Sequence, residues 1–247
     1  MSPIMSNDVL LRADGITAWY GAAQILFDIS LDVKRGEVVA LMGRNGAGKS
    51  TTLKTLMGML PQRAGHVELL GHDIAREAPH QIARRGLGYV PEDRRIFSDL
   101  TVMENLEVAR QPARSWADGS AAPSWTPERL FKLFPNLGEM PQRLGGRMSG
   151  GEQQMLTVAR TLIGNPLLLL LDEPSEGVAP LIVEQMAQMI LELKSHGVSI
   201  LLSEQNMHFA EIVSDRAYVL EKGQIRYQAT MAELAANDEV RRGYLAM

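Results

Sequence analysis

The stretch Gly43-Arg-Asn-Gly-Ala-Gly-Lys-Ser50 matches the pattern GxxxxGK[ST]. The apolar run Val38-Val-Ala-Leu-Met42 precedes it, and residues 51–60, with leucine and methionine at helical spacing, follow it as far as Pro61. In a strand, loop and helix of this kind, backbone N–H groups and the helix dipole favour a phosphate. A plain glycine turn before a helix is the alternative, which the complete motif in its expected context disfavours.

The pattern predicts a role for each part of this phosphate loop, residues 43–50. Lys49 is predicted to reach the β- and γ-phosphates, and Ser50 to ligate Mg²⁺. The predicted binding residues are Gly43, Arg44, Asn45, Gly46, Ala47, Gly48, Lys49, Ser50 and Thr51. Taken alone, the loop predicts only that a phosphate is held.

Five leucines at residues 167–171 end in Asp172-Glu173-Pro174. Ligands of open α/β sheets bind at the carboxyl ends of the strands, so Asp172 is predicted to bind Mg²⁺. Glu173 is the candidate to polarise an attacking water, because phosphoryl transfer mainly requires an oriented nucleophile and neutralised charge. An isolated apolar run indicates a buried element as readily as a catalytic one. The phosphate loop upstream favours the catalytic interpretation.

The segment Met148-Ser-Gly-Gly-Glu-Gln-Gln154 precedes a run with helical periodicity, residues 155–162. Ser149 and the two glycines would then lie at a helix start, where free N–H groups can bind an anion. An ordinary capping box between Ser149 and Glu152 is the alternative, and it is favoured for this segment in isolation.

Periodicity elsewhere predicts an α/β fold. The strand candidates 167–171 and 198–202 flank an amphipathic helix, 181–194, which indicates a parallel sheet. Short β-like runs with turns occupy residues 9–40, and residues 127–164 have a helical pattern. Residues 111–126 are rich in Ala, Ser, Pro and Gly without an apolar period, so we expect an exposed connection there.

Composition excludes several classes of protein. The 247 residues are 45% hydrophobic and 22% charged, as in an ordinary globular protein. There is no cysteine, which excludes disulfides, thiolate metal sites and a cysteine nucleophile. The net charge of −4 gives no support for nucleic-acid binding. No apolar run approaches the roughly 20 residues of a spanning helix, and the N-terminus carries no secretion signal, so we expect a cytoplasmic chain.

Three motifs occur in a characteristic order: the phosphate loop, SGGEQQ about 100 residues later, and LLLLDEP about 20 residues after that. This order resembles that of the ATP-binding cassette (ABC) proteins. The resemblance implies the P-loop NTPase fold of ABC ATPases, with a RecA-like parallel-sheet core, a small N-terminal antiparallel β subdomain and a helical subdomain. It implies a single domain at 9–247 after a tail at 1–8. Residues 9–90 and 165–247 would form the core with the β subdomain, and residues 98–164 the helical subdomain.

The resemblance also implies site residues. ATP would join two chains head to tail, with Ser149, Gly150, Gly151 and Glu152 of one chain at the nucleotide held by the phosphate loop of the other. Tyr20 stands where an aromatic side chain stacks on adenine, although Tyr20 or Trp19 could instead belong to the core. The implied catalytic residues are Glu173, Gln205 and Lys49, acting on ATP with Mg²⁺.

Two positions depart from the commonest cassette pattern. Glu92 replaces the glutamine that couples nucleotide to the membrane partner, and it would reach Mg²⁺ through water while adding negative charge. Gln205 replaces the switch histidine, so it can donate to the γ-phosphate but carries no charge. These replacements predict slower hydrolysis.

Four further segments resemble the LivF branch of branched-chain amino-acid importers: VPEDRRIF, SEQN, LDEPSEGVAP and the ending VRRGYL. Asp93 and Glu176 stand where that branch often has Gly and Leu. The resemblance implies a LivG-like second ATPase or a homodimer, two permeases and, indirectly, a solute-binding protein, with the chain at the cytoplasmic face of the inner membrane. Related cassettes for urea, amides or aromatic acids, and a soluble cassette protein without permeases, are the alternatives.

Overall fold

The computed structural model describes residues 9–245, so the predicted tail at 1–8 lies outside the described residues. The strands are β1 (Val9–Tyr20), β2 (Ala23–Lys34), β3 (Val38–Met42), β4 (Arg63–Leu69), β5 (His72–Asp73), β6 (Leu87–Val90), β7 (Leu168–Asp172), β8 (Ser199–Glu204), β9 (Arg216–Glu221) and β10 (Gln224–Thr230). The helices are α1 (Lys49–Leu56), α2 (Pro79–Arg85), α3 (Val102–Ala109), α4 (Pro127–Leu133), α5 (Pro135–Gly138), α6 (Gly150–Leu162), α7 (Pro180–Ser195), α8 (Met207–Val213), α9 (Met231–Ala236) and α10 (Asp238–Tyr244), with a 3₁₀ turn at Gly145–Arg147.

A six-stranded sheet in the order β10-β9-β3-β8-β7-β6 forms the centre of the chain. Strands β6, β7, β8, β3 and β9 run parallel, and β10 is antiparallel to β9. Val38, Ala40 and Met42 face one apolar cluster, whereas Val39 and Leu41 face another. A core on both faces explains why these strands are continuously apolar. The predicted parallel sheet is confirmed.

A second sheet, in the order β2-β1-β4-β5, is antiparallel. It confirms the predicted antiparallel β subdomain, but its strands are longer than the short runs expected. β1 and β2 each have 12 residues and are joined by the tight turn that contains Gly21. Register shifts along this pair interrupt the apolar alternation, so the sequence pattern alone divides the strands into fragments.

The helices fall close to their predicted positions. α7 extends the predicted 181–194 by one residue at each end. α1 ends at Leu56, four residues before the predicted end, because Gly58 adopts a φ of 72°. The N–H groups of Gly58 and Met59 then bond to the carbonyls of Thr55 and Lys54, which is a Schellman termination.

Residues 98–164, the predicted helical subdomain, contain α3 to α6 and no strand of either sheet within the described chain. This division into subdomains stays a prediction. Within it, the exposed connection expected at 111–126 is confirmed, since most of its residues are exposed and lie outside the helices and strands, although a few side chains anchor it. Trp116 and Trp125 are both buried, and Arg114 donates to the carbonyls of Arg84 and Asn165. A few separate side chains hold this segment in place, so its sequence shows no apolar periodicity.

No helix in the described part of the chain is long and apolar enough to cross a membrane.

Candidate nucleotide site

The phosphate loop connects the buried strand β3 to the first turn of α1. Gly48 has a φ of 109°, which favours glycine because a Cβ would be strained there. A Cβ at Gly43 would lie 2.4 Å from the carbonyl oxygen of Leu220 in β9. The loop is therefore held tightly against the sheet, and the start of α1 points its free N–H groups into the loop.

Lys49 is buried, with 3% of its surface exposed. Its Nζ donates to the carbonyls of Gly43, at 2.8 Å, and Arg44, at 3.2 Å. It also lies 3.0 Å from Oε1 of Glu173, so the ammonium forms an ion pair with the predicted catalytic acid. The fold thus brings together two residues that are 124 positions apart.

Asp172 ends β7 and is only 1% exposed. Its Oδ1 accepts from the hydroxyl of Ser203, at 2.8 Å, and its Oδ2 from the hydroxyl of Tyr89, at 2.9 Å. Burial, followed by the charge of Asp172, raises the pKa of Tyr89, so its phenol stays protonated as a donor. The two donors fix the orientation of the carboxylate at the carboxyl end of the sheet.

Glu173 directly follows this strand with a φ of 47°, an uncommon value for a residue with a side chain. Its N–H donates to the hydroxyl of Ser203, at 2.9 Å, which helps to hold that conformation. Burial opposes ionisation of Glu173, but hydrogen bonding with Glu176 and the ion pair with Lys49 outweigh burial and lower its pKa. Glu173 is therefore ionised at neutral pH, as a general base requires.

Glu176 lies one turn beyond Glu173, and its N–H donates to the Glu173 carbonyl at 3.1 Å. Hydrogen bonding with Glu173, then burial and the charges of Glu173 and Glu92, raise the pKa of Glu176 to about 7. A proton on Glu176 can supply a hydrogen bond to Glu173, whose buried Oε2 meets no other donor among the described residues. The pair shares a proton near neutral pH.

Three residues at this site were missed by the sequence reasoning: Tyr89, Ser203 and Glu204. Glu204 is buried and accepts from the N–H groups of Ser175, Gln205 and Asn206. Burial raises its pKa despite these bonds. It links the turn after Glu173 to the segment of Gln205. The only signal in the sequence was a pair of polar residues, Ser203-Glu204, at the end of an apolar strand.

Gln205 and Glu92 follow the carboxyl ends of β8 and β6, respectively, and both side chains are exposed. β8 lies between β3 and β7, so Gln205 emerges between the phosphate loop and Glu173. Glu92 is near enough to Glu176 for its charge to affect that residue's pKa. Both positions are at the edge of the sheet where ligands of this architecture bind.

Tyr20 is 49% exposed at the end of β1, which contradicts the core alternative for this residue. Leu26 of β2 pairs with Ala18 and lies against Gly48. The hairpin end that carries Tyr20 therefore lies on the side of the phosphate loop, which is compatible with stacking on a base.

Ser149 caps α6 and forms the capping box that was the alternative interpretation of this segment: its N–H donates to Glu152 Oε2 at 2.7 Å, and its hydroxyl accepts from the Glu152 N–H at 3.4 Å. The Ser149 side chain is exposed. Within the described residues, no hydrogen bond or ion pair links residues 149–152 to the phosphate loop. One chain therefore does not bring these two motifs together.

The oxygen atoms at this site are suited to a Mg²⁺ ion that is bound partly by the protein and partly by phosphate oxygens. Among residues 9–245, no cluster of three or more His, Asp or Glu could hold a metal by itself. Mg²⁺ commonly takes one or two protein oxygens and completes its shell with water and substrate phosphates. The buried carboxylate of Asp172 and the hydroxyl of Ser50, at the first turn of α1, are oxygen ligands of that kind.

Comparison with known proteins identifies the family. The family model described as "ABC transporter" matches residues 26–176, which is more than half of the chain. The chain belongs to the ABC transporter family. It is an ATP-binding subunit of an ABC transporter and an ATPase.

Relatives of this ABC protein extend over nearly its whole length. It is 42% identical, over 96% of the chain and 99% of the relative, to the high-affinity branched-chain amino acid transport ATP-binding protein BraG of Pseudomonas aeruginosa. It is 34% identical, over 93% of the chain and 96% of the relative, to a probable LivF of Archaeoglobus fulgidus. It is 33% identical, over 96% of the chain and 97% of the relative, to the lipopolysaccharide export system ATP-binding protein LptB of Haemophilus influenzae.

Solved structures confirm the predicted fold. The ADP conformation of MJ1267, an ATP-binding cassette of an ABC transporter, matches with a TM-score of 0.77 and 26% identity, over 95% of this chain and 97% of that one. Another ATP-binding subunit of an ABC transporter matches with the same TM-score and 29% identity, over 96% of each chain.

Proposed function

We propose that this chain is one of the two ATPases of an importer for branched-chain amino acids. The 42% identity to BraG over nearly the full length of both chains carries the proposal. The LivF relative supports the same solute class. The LptB relatives, whose name refers to lipopolysaccharide export, are 33% identical, which is less than BraG and about the same as the LivF relative. A urea, amide or aromatic-acid cassette remains the alternative solute class.

The residues around Lys49 supply the hydrolytic chemistry. Lys49 exchanges its pairing with Glu173 for the phosphates of ATP, which carry more negative charge than one carboxylate. Glu173 is then free to accept a hydrogen bond from the water that attacks the γ-phosphorus. Ser203 keeps Glu173 and Asp172 aligned while this exchange occurs, because it bonds to both.

Ser50 and Asp172 would hold Mg²⁺, with Glu92 acting through water, and the ion would supply positive charge against the phosphates. Gln205 donates to the γ-phosphate, and Tyr20 stacks on adenine. The neutral Gln205 and the acidic Glu92 both leave more negative charge uncompensated than the common cassette residues do. We therefore expect slow turnover.

The exposed capping motif at residues 149–152 completes the site of a partner chain. Two cassettes bind head to tail, with ATP between the phosphate loop of one and Ser149, Gly150 and Gly151 of the other. The second cassette is a LivG-like ATPase or another copy of this chain. Both are attached to two permeases at the cytoplasmic face of the inner membrane, and a solute-binding protein delivers the cargo. ATP binds the closed pair of cassettes more tightly than the open pair, and this difference in binding free energy drives the conformational change of the permeases.

Glu173→Gln tests the hydrolytic role. In the assembled transporter, turnover should fall by about 10²–10⁴-fold, because the variant cannot accept the proton from water. Glu139→Gln, an exposed acid of the helical part, is the matched control and should keep the wild-type rate. Equal phosphate release by wild type and Glu173→Gln would contradict the assignment of Glu173.

Uptake tests the solute class. Disrupting the gene, or replacing it with the Glu173→Gln allele, should abolish high-affinity uptake of labelled leucine and leave urea uptake unchanged. Loss of urea or amide uptake with normal leucine uptake would favour the related cassettes. If the chain copurifies with no permease and all uptake is normal, a soluble cassette protein becomes the better interpretation.

A further inference from the structure

The two arginines that follow Asp93 have an unusual backbone. Arg94 has a φ of 64° and Arg95 a φ of 49°. Left-handed conformations of residues with side chains are unfavourable, and they persist where neighbouring groups hold them. Here the Thr157 hydroxyl donates to the Arg94 carbonyl at 2.7 Å, and Arg160 Nη2 to the Arg95 carbonyl at 2.6 Å. Both donors belong to α6, so the segment 93–95 is fixed to the helix that begins at the capping motif.

This conformation places the Arg94 guanidinium against the start of α6. A Cβ built on Gly150 would lie 2.8 Å from Arg94 Nη1 and 3.3 Å from Cζ. A side chain at position 150 would therefore displace the guanidinium, and glycine there permits the close approach.

The charge of Arg94 is uncompensated. Its half-buried side chain forms no ion pair or hydrogen bond within residues 9–245. The adjacent acid, Asp93, instead pairs with Arg95, at 2.8 and 2.9 Å. Glu152, at the same helix end, accepts from the Ser149 N–H and lies 3.9 Å from Arg143. A cation beside a helix N-terminus is also unfavourable, because both are positive.

These observations share one explanation. An unpaired guanidinium, held beside free N–H groups at the start of α6, is suited to a polyanion from outside the chain. We propose that Arg94 binds the phosphates of the ATP held by the partner cassette, together with Ser149, Gly150 and Gly151. This inference rests on the head-to-tail dimer of the proposed function. Arg94 adds positive charge to the partner's site, and when the partner is a second copy of this chain it supplies each site with the charge that Glu92 and Gln205 do not provide.

The test compares Arg94→Gln with Arg95→Gln, both made in full-length chain that carries Glu173→Gln to slow hydrolysis. Arg95 is the matched control because it is exposed and engaged with Asp93. ATP-dependent dimerisation is measured by analytical ultracentrifugation, alone and with the second cassette of the same transporter. ATP binding by the monomer is measured by titration, and thermal unfolding is recorded for every variant.

Arg94→Gln should weaken ATP-driven dimerisation by about 10- to 100-fold, the effect of losing a hydrogen bond to a charged group. Monomer affinity for ATP should change by less than about twofold, because Arg94 acts on the partner's nucleotide. Arg95→Gln should match the parent. Arg94→Lys keeps the charge but lacks the planar fork of the guanidinium, so its dimerisation should be intermediate between that of Arg94→Gln and that of the parent.

Unchanged dimerisation of Arg94→Gln would overturn the inference, and so would a comparable loss of ATP binding by its monomer. If Arg94→Gln does not fold, Arg94→Lys decides: dimerisation equal to that of the parent counts against phosphate binding through a fork. If the Glu173→Gln parent itself forms no ATP-dependent dimer with either partner, the proposed function fails. If the parent dimerises and Arg94→Gln does so equally well, only the role of Arg94 fails.

Discussion

The two ends of the nucleotide site differ in how completely one chain builds them. At the phosphate loop, Lys49, Asp172 and Glu173 are buried and bonded to groups of the same chain. At the start of α6, Ser149 is exposed, and within the described residues its side chain bonds only within its own capping box. The first half is preorganised by the core, whereas the second faces outward. Changes in the first half should therefore act on chemistry, and changes in the second on association.

Lys49→Ala should have the largest effect, a fall in ATPase kcat/KM of about 10³-fold or more, since a buried charge opposite the phosphates is lost. Glu173 also loses its ion pair, which favours its protonation. Steady-state phosphate release measures this. Lys54→Ala, one turn along α1, is the control and should remain within about twofold of wild type. A Lys49→Ala chain with normal turnover would mean that the phosphate loop is not the working site.

Ser149→Ala should weaken ATP-dependent dimerisation by about tenfold, because one hydroxyl at the partner's phosphate is lost. The lost cap should also lower the free energy of unfolding by about 1 kcal/mol. Binding of ATP by the monomer should not change. Sedimentation and urea denaturation separate the two effects. If the monomer loses ATP affinity instead, Ser149 contacts the nucleotide of its own chain, and one chain builds both halves of the site.

Gln205→His should raise turnover by about three- to tenfold, since a protonated imidazole adds a charge-assisted hydrogen bond to the γ-phosphate. The gain should shrink as the pH rises above about 7 and the imidazole loses its proton. Phosphate release between pH 6 and 8 tests this. An unchanged rate would show that the neutral side chain is not what limits hydrolysis. Gln205→Asn, which keeps a neutral amide at the same position, controls for replacing the side chain.

Glu176→Gln should have the smallest effect, on stability. The pKa of Glu176 is raised to about 7 from 4.5, so the folded chain binds this proton more tightly than the unfolded chain. Its contribution to stability is complete below pH 4.5 and is lost as the pH rises to about 7. Over that window, the wild-type Tm should fall by about 1–3 °C more than that of Glu176→Gln. Parallel Tm curves, measured without Mg²⁺, would contradict the shared proton.

Local signals were sufficient for much of the fold. The phosphate loop and the helix at Pro180–Ser195 were predicted, and the capping box at Ser149 was recognised as an alternative, because each depends on the backbone needs of a few adjacent residues. The parallel sheet followed from continuous apolar strands. Where local signals were incomplete, the predictions were incomplete too. Gly58 ended α1 early, and nothing in the composition of residues 111–126 indicated that Trp116 and Trp125 would anchor this mostly exposed segment.

The sequence by itself determined which residues can hold a phosphate and where helices and strands begin, since glycine, serine and apolar spacing act over a few residues. Only the tertiary structure decided that Ser203 aligns Asp172 with Glu173, that Glu204 joins two turns, and that Arg94 lies against Gly150 without a partner among residues 9–245. Those relations join strands and helices that are distant along the chain. Their energies depend on burial and on which charges end up adjacent, and neither is determined until the sheet has formed.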